Sequence, residues 1–263
     1  MRRSLRRPRR PEGFPEARWF WDHYETAVDE IVQFCEPRGA ALRGAEIADI
    51  GCGDGIMALG LHQRVAPRRL VGFDVVPTDL GVLRQKARQA AVADELPAGL
   101  SFVASGPTSI PAPEGSFDFV YSWSAFEHIA DPLGVLREIR RILRPEGSFF
   151  LQLWPFYHSA QGSHLWDWFP GEHHHLLESR EEIVAKLEQS DRHSPEWTQY
   201  MRREFEHLNR LTLGELQRSL LASGFSVRWL ELISGPTYLA PELARYAWTD
   251  LAVGGVKLLA VPS

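Results

Sequence analysis

Cysteine is scarce in this chain, and long apolar runs are missing. The 263 residues include only two cysteines, Cys35 and Cys52, which are too few for a disulfide framework and lack the spacing of metal ligands. No apolar run approaches the roughly 18 residues that a membrane span requires. We therefore expect a cytoplasmic protein in a reducing compartment, without a disulfide scaffold or a membrane partner.

The chain also lacks an excess of positive charge. It has 29 Lys and Arg against 34 Asp and Glu, a net charge of −5, which argues against a general nucleic-acid binder. The exception is the stretch from Met1 to Arg10, with six arginines and no acid. We predict a basic disordered tail over residues 1–14. A basic arm for anionic partners, or a targeting segment, is the alternative interpretation.

The most informative segment is a glycine-rich turn, Asp49-Ile50-Gly51-Cys52-Gly53-Asp54-Gly55. It lies between a short apolar run and a helix-like one, which predicts a buried strand that turns into a helix. Glycine lets a ligand approach the backbone, and the free N–H groups of a helix start can hold carboxylates or hydroxyls. Asp74 ends the next apolar run, where its carboxylate can accept both hydroxyls of a ribose. Together these features predict a site for a nucleoside-bearing cofactor.

The turn lacks the last glycine of a dinucleotide fingerprint. That motif runs G-x-G-x-x-G and makes room for a pyrophosphate, whereas here the order is G-x-G-x-G and Ile56 occupies the last position. Asp49 precedes the first glycine by two positions, and a negative group there suits a cationic ligand. In these residues the chain resembles the class I methyltransferases that use S-adenosylmethionine.

Apolar runs of strand and helix character alternate along the chain, which predicts a parallel sheet with helices on both faces. We expect an α/β, Rossmann-like, doubly wound and mostly parallel seven-stranded sheet, with an aromatic- and histidine-rich insertion after strand five. We expect five segments. They are the tail, residues 1–14; an N-terminal helical cap, 15–44; the cofactor-binding core, 45–154; an insertion or lid, 155–210; and the C-terminal part of the core sheet, 211–263.

Local signals predict where several elements begin and end. Thr78 is expected to cap the helix after strand two, and Asp131-Pro132 to open the helix after strand four. Pro145-Glu146-Gly147 is expected to be a turn before strand five. Thr212 and Glu215 have the spacing of a capping box.

A second region strengthens the resemblance. Residues 115–120, 126–132 and 143–148 look like phrases that recur in the ubiquinone-methylase-like, small-molecule branch of the family. The resemblance implies S-adenosyl-L-methionine as the cofactor. Where the family has an acid after strand three for the adenine amino group, this chain has Ser105, a weaker acceptor. The implied cofactor-binding residues are Tyr24, Asp49, Gly51, Cys52, Gly53, Gly55, Asp74, Val75, Ser105 and Ser122.

Histidines are the candidates for a general base. His128 follows strand four, and its unperturbed pKa near 6.5 suits proton removal; the alternative is a histidine that packs in its loop. His173, His174 and His175 lie in the insertion, among many aromatics. The insertion is expected to bound an acceptor pocket, and a structural cap is the alternative. A zinc site there would need further ligands at suitable spacing, so no metal is expected.

The predicted function is S-adenosylmethionine-dependent methyl transfer to a small molecule, with oxygen chosen as the acceptor atom on frequency alone. N- or C-methylation, and methylation of tRNA or protein, remain alternatives within the class. A nicotinamide-dependent oxidoreductase and a non-catalytic cofactor-binding protein are the alternatives outside it. The oligomeric state is not indicated.

Overall fold

The fold is a seven-stranded sheet with helices on both faces. The computed structural model describes residues 17–263, so the predicted tail over 1–14 lies outside the described residues. The strands are β1 Glu46–Ile50, β2 Arg69–Asp74, β3 Leu100–Ala104, β4 Phe117–Trp123, β5 Leu143–Leu153, β6 Phe225–Ser234 and β7 Val253–Pro262. Across the sheet they follow the order β3-β2-β1-β4-β5-β7-β6.

All neighbouring strands from β3 to β5 are parallel. β7 is antiparallel to both β5 and β6, so the expected mostly parallel sheet is confirmed. The chain order reverses between β1 and β4, because β2 and β3 lie on one side of β1 and β4 and β5 on the other. Ligands of such sheets bind beyond the carboxyl ends of the strands at this switch point.

Ten α-helices lie among the described residues, and the helix after β4 shows why they form. This helix, α5 (Pro132–Ile142), begins after Asp131, whose carboxylate accepts from Gly134 N, and Pro132 occupies its first turn. Its buried face carries Leu136 and Ile139, each contributing about 1.5–3 kcal/mol by burial. The helices are α1 Ala17–Trp21, α2 Val28–Cys35, α3 Ile56–Val65, α4 Leu80–Gln89, α5 Pro132–Ile142, α6 His174–Leu177, α7 Arg180–Glu188, α8 Pro195–His207, α9 Leu213–Ala222 and α10 Trp248–Ala252.

Each face of the sheet has its own core. One contains the N-terminal helices and α3, with Phe20, Ile31 and Leu59 among its members. The other contains α5 and α9, with Leu136 and Leu216 among its members. α1 and α2 are joined by the π-helical turn Asp22–Ala27, and together they cover one face of α3.

Two local expectations were wrong. Asp79 caps α4, accepting from Gly81 N and Val82 N at 2.8 and 3.0 Å, while the Thr78 hydroxyl donates to Gly53 O at 2.9 Å. The carboxylate is the stronger acceptor, and it leaves Thr78 free to brace the glycine turn. Residues 145–147 lie within β5, because β5 starts at Leu143 and pairs with β4 across a register shift. The capping box of Thr212 and Glu215 is confirmed.

The segment after β5 contains α6, α7 and α8. A small core of its own joins Leu165, Trp168, Ile183, Leu187 and Phe205. Between β6 and β7, residues 235–252 form a loop that includes the 3₁₀ helix Pro241–Arg245 and α10.

Candidate functional site

The glycine turn leaves β1 at the switch point. Gly51, Gly53 and Gly55 have φ values of +79°, +51° and +77°, the left-handed region that side chains disfavour. The N–H groups of Gly51 and Cys52 donate to Phe73 O of β2. The alternating glycines are therefore required by the backbone path itself.

The three glycines have different surroundings. A Cβ on Gly51 would lie 2.5 Å from Ala125 Cβ, and one on Gly55 would lie 2.7 Å from the Phe102 ring. Nothing lies within 4 Å of the same position on Gly53. The turn is thus packed tightly on two sides and open at Gly53, where a ligand can reach the backbone.

Asp49 lies beneath the turn, 2% exposed. Tyr121 of β4 donates its hydroxyl to Asp49 Oδ2 at 2.8 Å. Burial raises the pKa of Asp49 to about 7, with smaller increases from Asp74 and Asp54 that the Tyr121 hydrogen bond opposes. Near neutral pH, a nearby cation would therefore favour the ionised form of Asp49.

Asp74 ends β2 with its carboxylate directed to the turn. Oδ2 accepts from Gly53 N at 2.8 Å, and Oδ1 accepts from Val76 N at 2.9 Å. Both interactions are charge-assisted and hold the carboxylate in place. The glycine turn and Asp74, which together predicted a cofactor site, are thus in contact in the structure.

A contact with the N-terminal helix was missed by the sequence analysis. Trp19 Nε1 donates to Asp54 Oδ2 at 3.1 Å, and Lys86 Nζ lies 3.6 Å from the same oxygen. α1 therefore reaches the glycine turn through Trp19. Spacing along the chain carries no signal for this contact, because 35 residues separate the partners.

Tyr24, predicted as a cofactor-binding residue, contacts α3. Its hydroxyl donates to Gln63 Oε1, and its backbone lies against Gly60, where a Cβ would meet Tyr24 O at 2.3 Å. Tyr24 thus anchors the N-terminal helices to α3.

The remaining predicted cofactor residues differ in accessibility. Val75 is 58% exposed beside Asp74, and Ser105 N donates to Asp74 O at 2.8 Å. Ser122 is fully buried and donates its hydroxyl to Ile50 O at 2.7 Å. Burial and the nearby Asp49 raise the pKa of the buried Cys52 thiol, so Cys52 offers the turn its backbone and not a thiolate.

A polar cluster, Glu127, His128 and His164, follows the carboxyl end of β4. One ligand-type atom from each residue lies within 4.8 Å of the others. Burial raises the pKa of Glu127 to about 8, with a further increase from Glu204. Burial and the nearby His128 lower the pKa of His164 to about 3. Burial also lowers the pKa of His128, against the opposing charge of Glu204, so both imidazoles are neutral at pH 7.

His173, His174 and His175 lie in the segment after β5, at the start of α6. All three are buried. One ring nitrogen of each contacts a backbone carbonyl, and the other makes no hydrogen bond. The contacts are His173 Nε2 to Leu251 O, His174 Nδ1 to Gly171 O and His175 Nε2 to Tyr157 O. This geometry favours the structural alternative for the trio.

Asn209 ties the end of the insertion to the segment after β4. Its side-chain amide donates to Phe126 O at 2.6 Å and to Ile129 O at 2.8 Å, and its N–H donates to Glu127 O at 2.8 Å. No sequence motif marked this residue, which bridges two distant parts of the chain.

A cavity of about 700 Å³ lies at the opposite edge of the sheet. Its lining includes Ala45, Asp118 and Ser148. Ala45 and Asp118 lie at the amino-terminal ends of β1 and β4, and Ser148 begins the part of β5 that pairs with β4 beyond the register shift. Because cofactors of such sheets bind at the carboxyl ends of the strands, this cavity is separate from the site described above.

Comparison with known proteins identifies the family. Residues 20–230 match a family described as a methyltransferase domain. The chain therefore belongs to the methyltransferase domain family, within the class I S-adenosylmethionine-dependent methyltransferases. The predicted family, its Rossmann-like fold and its cofactor, S-adenosylmethionine, are confirmed.

One curated relative is a ubiquinone biosynthesis O-methyltransferase from Pseudomonas aeruginosa (strain UCBPP-PA14). It is 32% identical over 112 residues, covering 43% of this chain and 45% of that protein. The chain thus spans about half the length of the curated relatives it matches.

Two solved structures share the fold. An S-adenosylmethionine-dependent methyltransferase from Mesorhizobium loti has a TM-score of 0.54 at 20% identity, covering 89% of this chain and 99% of that one. A geranyl diphosphate methyltransferase in complex with S-adenosylmethionine has a TM-score of 0.57 at 13% identity, covering 90% and 85%. At these identities the likeness shows the fold alone. Over residues 17–263, no helix combines the length and apolarity needed to cross a membrane.

Proposed function

We propose that this protein transfers the methyl group of S-adenosylmethionine to a hydroxyl oxygen of a small molecule. The observation that carries the proposal is the shared position of the cofactor residues and the polar cluster. Gly51 of the turn packs against Ala125, only two residues before Glu127. The two groups of residues therefore meet at one edge of the sheet.

The residues present fit the cofactor. Gly53 leaves open space above the turn where a side chain would otherwise lie. Asp74 is held by two N–H donors in reach of that space and would accept the ribose hydroxyls. Asp49 would bind the ammonium of the methionine end, directly or through water. Gly51, Cys52 and Gly55 would contribute backbone, with Val75 and Ser105 beside the adenosine.

The sulfonium of the bound cofactor supplies an already activated methyl group. What the protein adds is alignment of the acceptor oxygen and removal of its proton. His128 is the proposed base, since its lowered pKa leaves it neutral at pH 7. Glu204 Oε2, 3.4 Å from His128 Nδ1, would stabilise the imidazolium that forms.

Three contacts support an insertion that bounds the acceptor pocket. His164 stacks edge-on against His128 with ring centroids 5.2 Å apart, Glu204 approaches the same ring, and Asn209 binds the adjacent carbonyls. Oxygen as the acceptor atom is further supported by the O-methyltransferase names of the curated relatives.

Two measurements test this function. Calorimetry is expected to show binding of S-adenosylmethionine and none of NADH, with Asp49→Asn weakened and the exposed Asp94→Asn unchanged as a matched control. Isotope-labelled S-adenosylmethionine is then incubated with panels of hydroxylated and amino small molecules. Label recovered on oxygen supports the proposal, and label recovered only on nitrogen, carbon, tRNA or protein contradicts it.

A further inference from the structure

The polar cluster has the donor set of a metal site. Glu127 and His128 come from the 3₁₀ helix Phe126–His128 after β4, and His164 comes from the insertion. The three ligand-type atoms lie within 4.8 Å of one another. Around a tetrahedral ion with bonds of about 2.1 Å, ligand atoms lie about 3.4 Å apart, so a modest inward movement of the side chains would complete the site.

Two of the residues that would bind the ion carry atoms without a partner. Glu127 Oε2 and His164 Nε2 are buried and make no hydrogen bond, and Glu127 is only 3% exposed. The third residue, His128, has its Nδ1 3.4 Å from Glu204 Oε2. Buried polar atoms without a partner are rare and destabilising, and an ion is one of the groups that satisfies them. Two such atoms in residues whose ligand-type atoms lie within 4.8 Å of one another indicate a ligand between them.

The surroundings match the needs of a cation. Glu204 Oε2 lies 3.4 Å from His128 Nδ1, which places a second carboxylate at the edge of the cluster. Asn209 holds the carbonyls of Phe126 and Ile129, which fixes the backbone that carries Glu127 and His128. Two imidazoles and a carboxylate group are the kinds of donor preferred by zinc-class divalent ions.

We propose that Glu127, His128 and His164 bind one divalent transition-metal ion of the zinc class, with Glu204 beside it. The ion links residues 127–128 to the insertion, because the ligands come from both. One consequence rests on the proposed function: with the ion bound, His128 would be a ligand and would not act as the base, and the ion would supply a positive charge beside the acceptor hydroxyl.

Metal binding is measured directly on the untagged full-length protein after treatment with a chelator. Zn²⁺ is titrated against a chromophoric competitor, and Co²⁺ binding is followed by its visible absorption. The expected result is one equivalent bound by the wild type, with at least tenfold weaker binding in Glu127→Gln and in His164→Asn. His158→Asn is the matched control, because His158 also lies after β5 and has an unpartnered ring nitrogen outside the cluster.

Circular dichroism shows that each variant is folded before its affinity is compared. The proposal is overturned if the wild type binds neither ion, or if the two ligand variants bind as tightly as His158→Asn. The measurement does not require methyl transfer, so it tests the metal site independently of the proposed function. S-adenosylmethionine affinity, measured in parallel, is expected to be the same with and without Zn²⁺.

Discussion

The Tyr121 hydroxyl lies 2.8 Å from Asp49 Oδ2, and both side chains are buried beneath the glycine turn. This hydrogen bond is one of the few features that favour the charged form of Asp49, whose pKa burial raises to about 7. Below about pH 7 Asp49 thus holds a proton at the position where the cofactor's ammonium is proposed to bind.

Affinity for S-adenosylmethionine is therefore expected to depend on pH. Below pH 7 Asp49 must lose its proton before it binds a cation, so affinity should rise with pH, by up to tenfold per unit, and level off near 7. Calorimetry between pH 5.5 and 7.5 measures this while an α-amino group stays largely protonated. Asp49→Asn should bind weakly with a flat profile, and Tyr121→Phe should move the plateau to higher pH. If the cofactor affinity of Asp49→Asn still rose with pH, a group other than Asp49 would be responsible for the pH dependence.

The same pKa has a consequence for stability. Because the folded-state pKa of Asp49 is above its unfolded value, the folded state binds the extra proton between about pH 4 and 7. The stabilisation that the protonated Asp49 gives the folded state is fully present below pH 4. It is lost as the pH rises through the folded-state pKa near 7. Asp49→Asn should remove that slope in urea unfolding measured across the range.

Gly51 and Gly53 are expected to respond differently to alanine. Gly51→Ala places a methyl group 2.5 Å from Ala125 Cβ at φ +79°, so the protein should unfold at distinctly lower temperature. Gly53→Ala meets open space at φ +51° and should cost about 1 kcal/mol of stability from its backbone alone, yet weaken cofactor binding. Gly44→Ala, with φ +67° and open space far from the site, is the control for the backbone cost. Equal cofactor affinity in Gly53→Ala and Gly44→Ala would show that the ligand does not approach Gly53.

Asp74 should matter for both the turn and the cofactor. Asp74→Ala removes two charge-assisted hydrogen bonds to Gly53 N and Val76 N and the proposed acceptor of the ribose. Cofactor affinity should fall by about 10- to 100-fold, in line with 1.5–3 kcal/mol for hydrogen bonds to a charged group. Calorimetry of Asp74→Ala, Asp74→Asn and the exposed Asp94→Asn separates loss of charge from loss of all acceptors. If Asp74→Ala bound the cofactor as tightly as the wild type, the proposal that Asp74 accepts the ribose hydroxyls would be wrong.

Asn209 should couple the insertion to the segment after β4. Asn209→Ala removes the side-chain donor to the carbonyls of Phe126 and Ile129, although Phe126 O keeps the N–H of Ile129. The loss should cost about 1–3 kcal/mol. Turnover should fall while S-adenosylmethionine affinity stays within a factor of about two, because Asn209 contacts neither the turn nor Asp74. Thermal unfolding, calorimetry and kinetics are compared with the exposed Gln199→Ala on α8. A collapse of cofactor affinity in Asn209→Ala would place the insertion in the cofactor site.

The amino-acid sequence by itself determined those features that depend on residues close to one another along the chain. The alternation of apolar runs predicted the sheet, because each strand and helix must bury one face. Gly51, Gly53 and Gly55 predicted the turn, because few other residues adopt positive φ there. Asp131 and Thr212 predicted helix starts, because a cap satisfies N–H groups only two or three residues away.

The tertiary structure decided the contacts between distant segments. Trp19 meets Asp54, Tyr24 faces Gln63, and His164 and Asn209 reach the segment after β4. Such pairs leave no local pattern, since their partners are chosen by packing of the insertion and the N-terminal helices on the sheet. For the same reason His173, His174 and His175, adjacent and conspicuous in sequence, are held by backbone carbonyls. Glu127 and His128 meet His164 in one cluster, although 36 residues separate His128 from His164, because burial and chain topology bring them together.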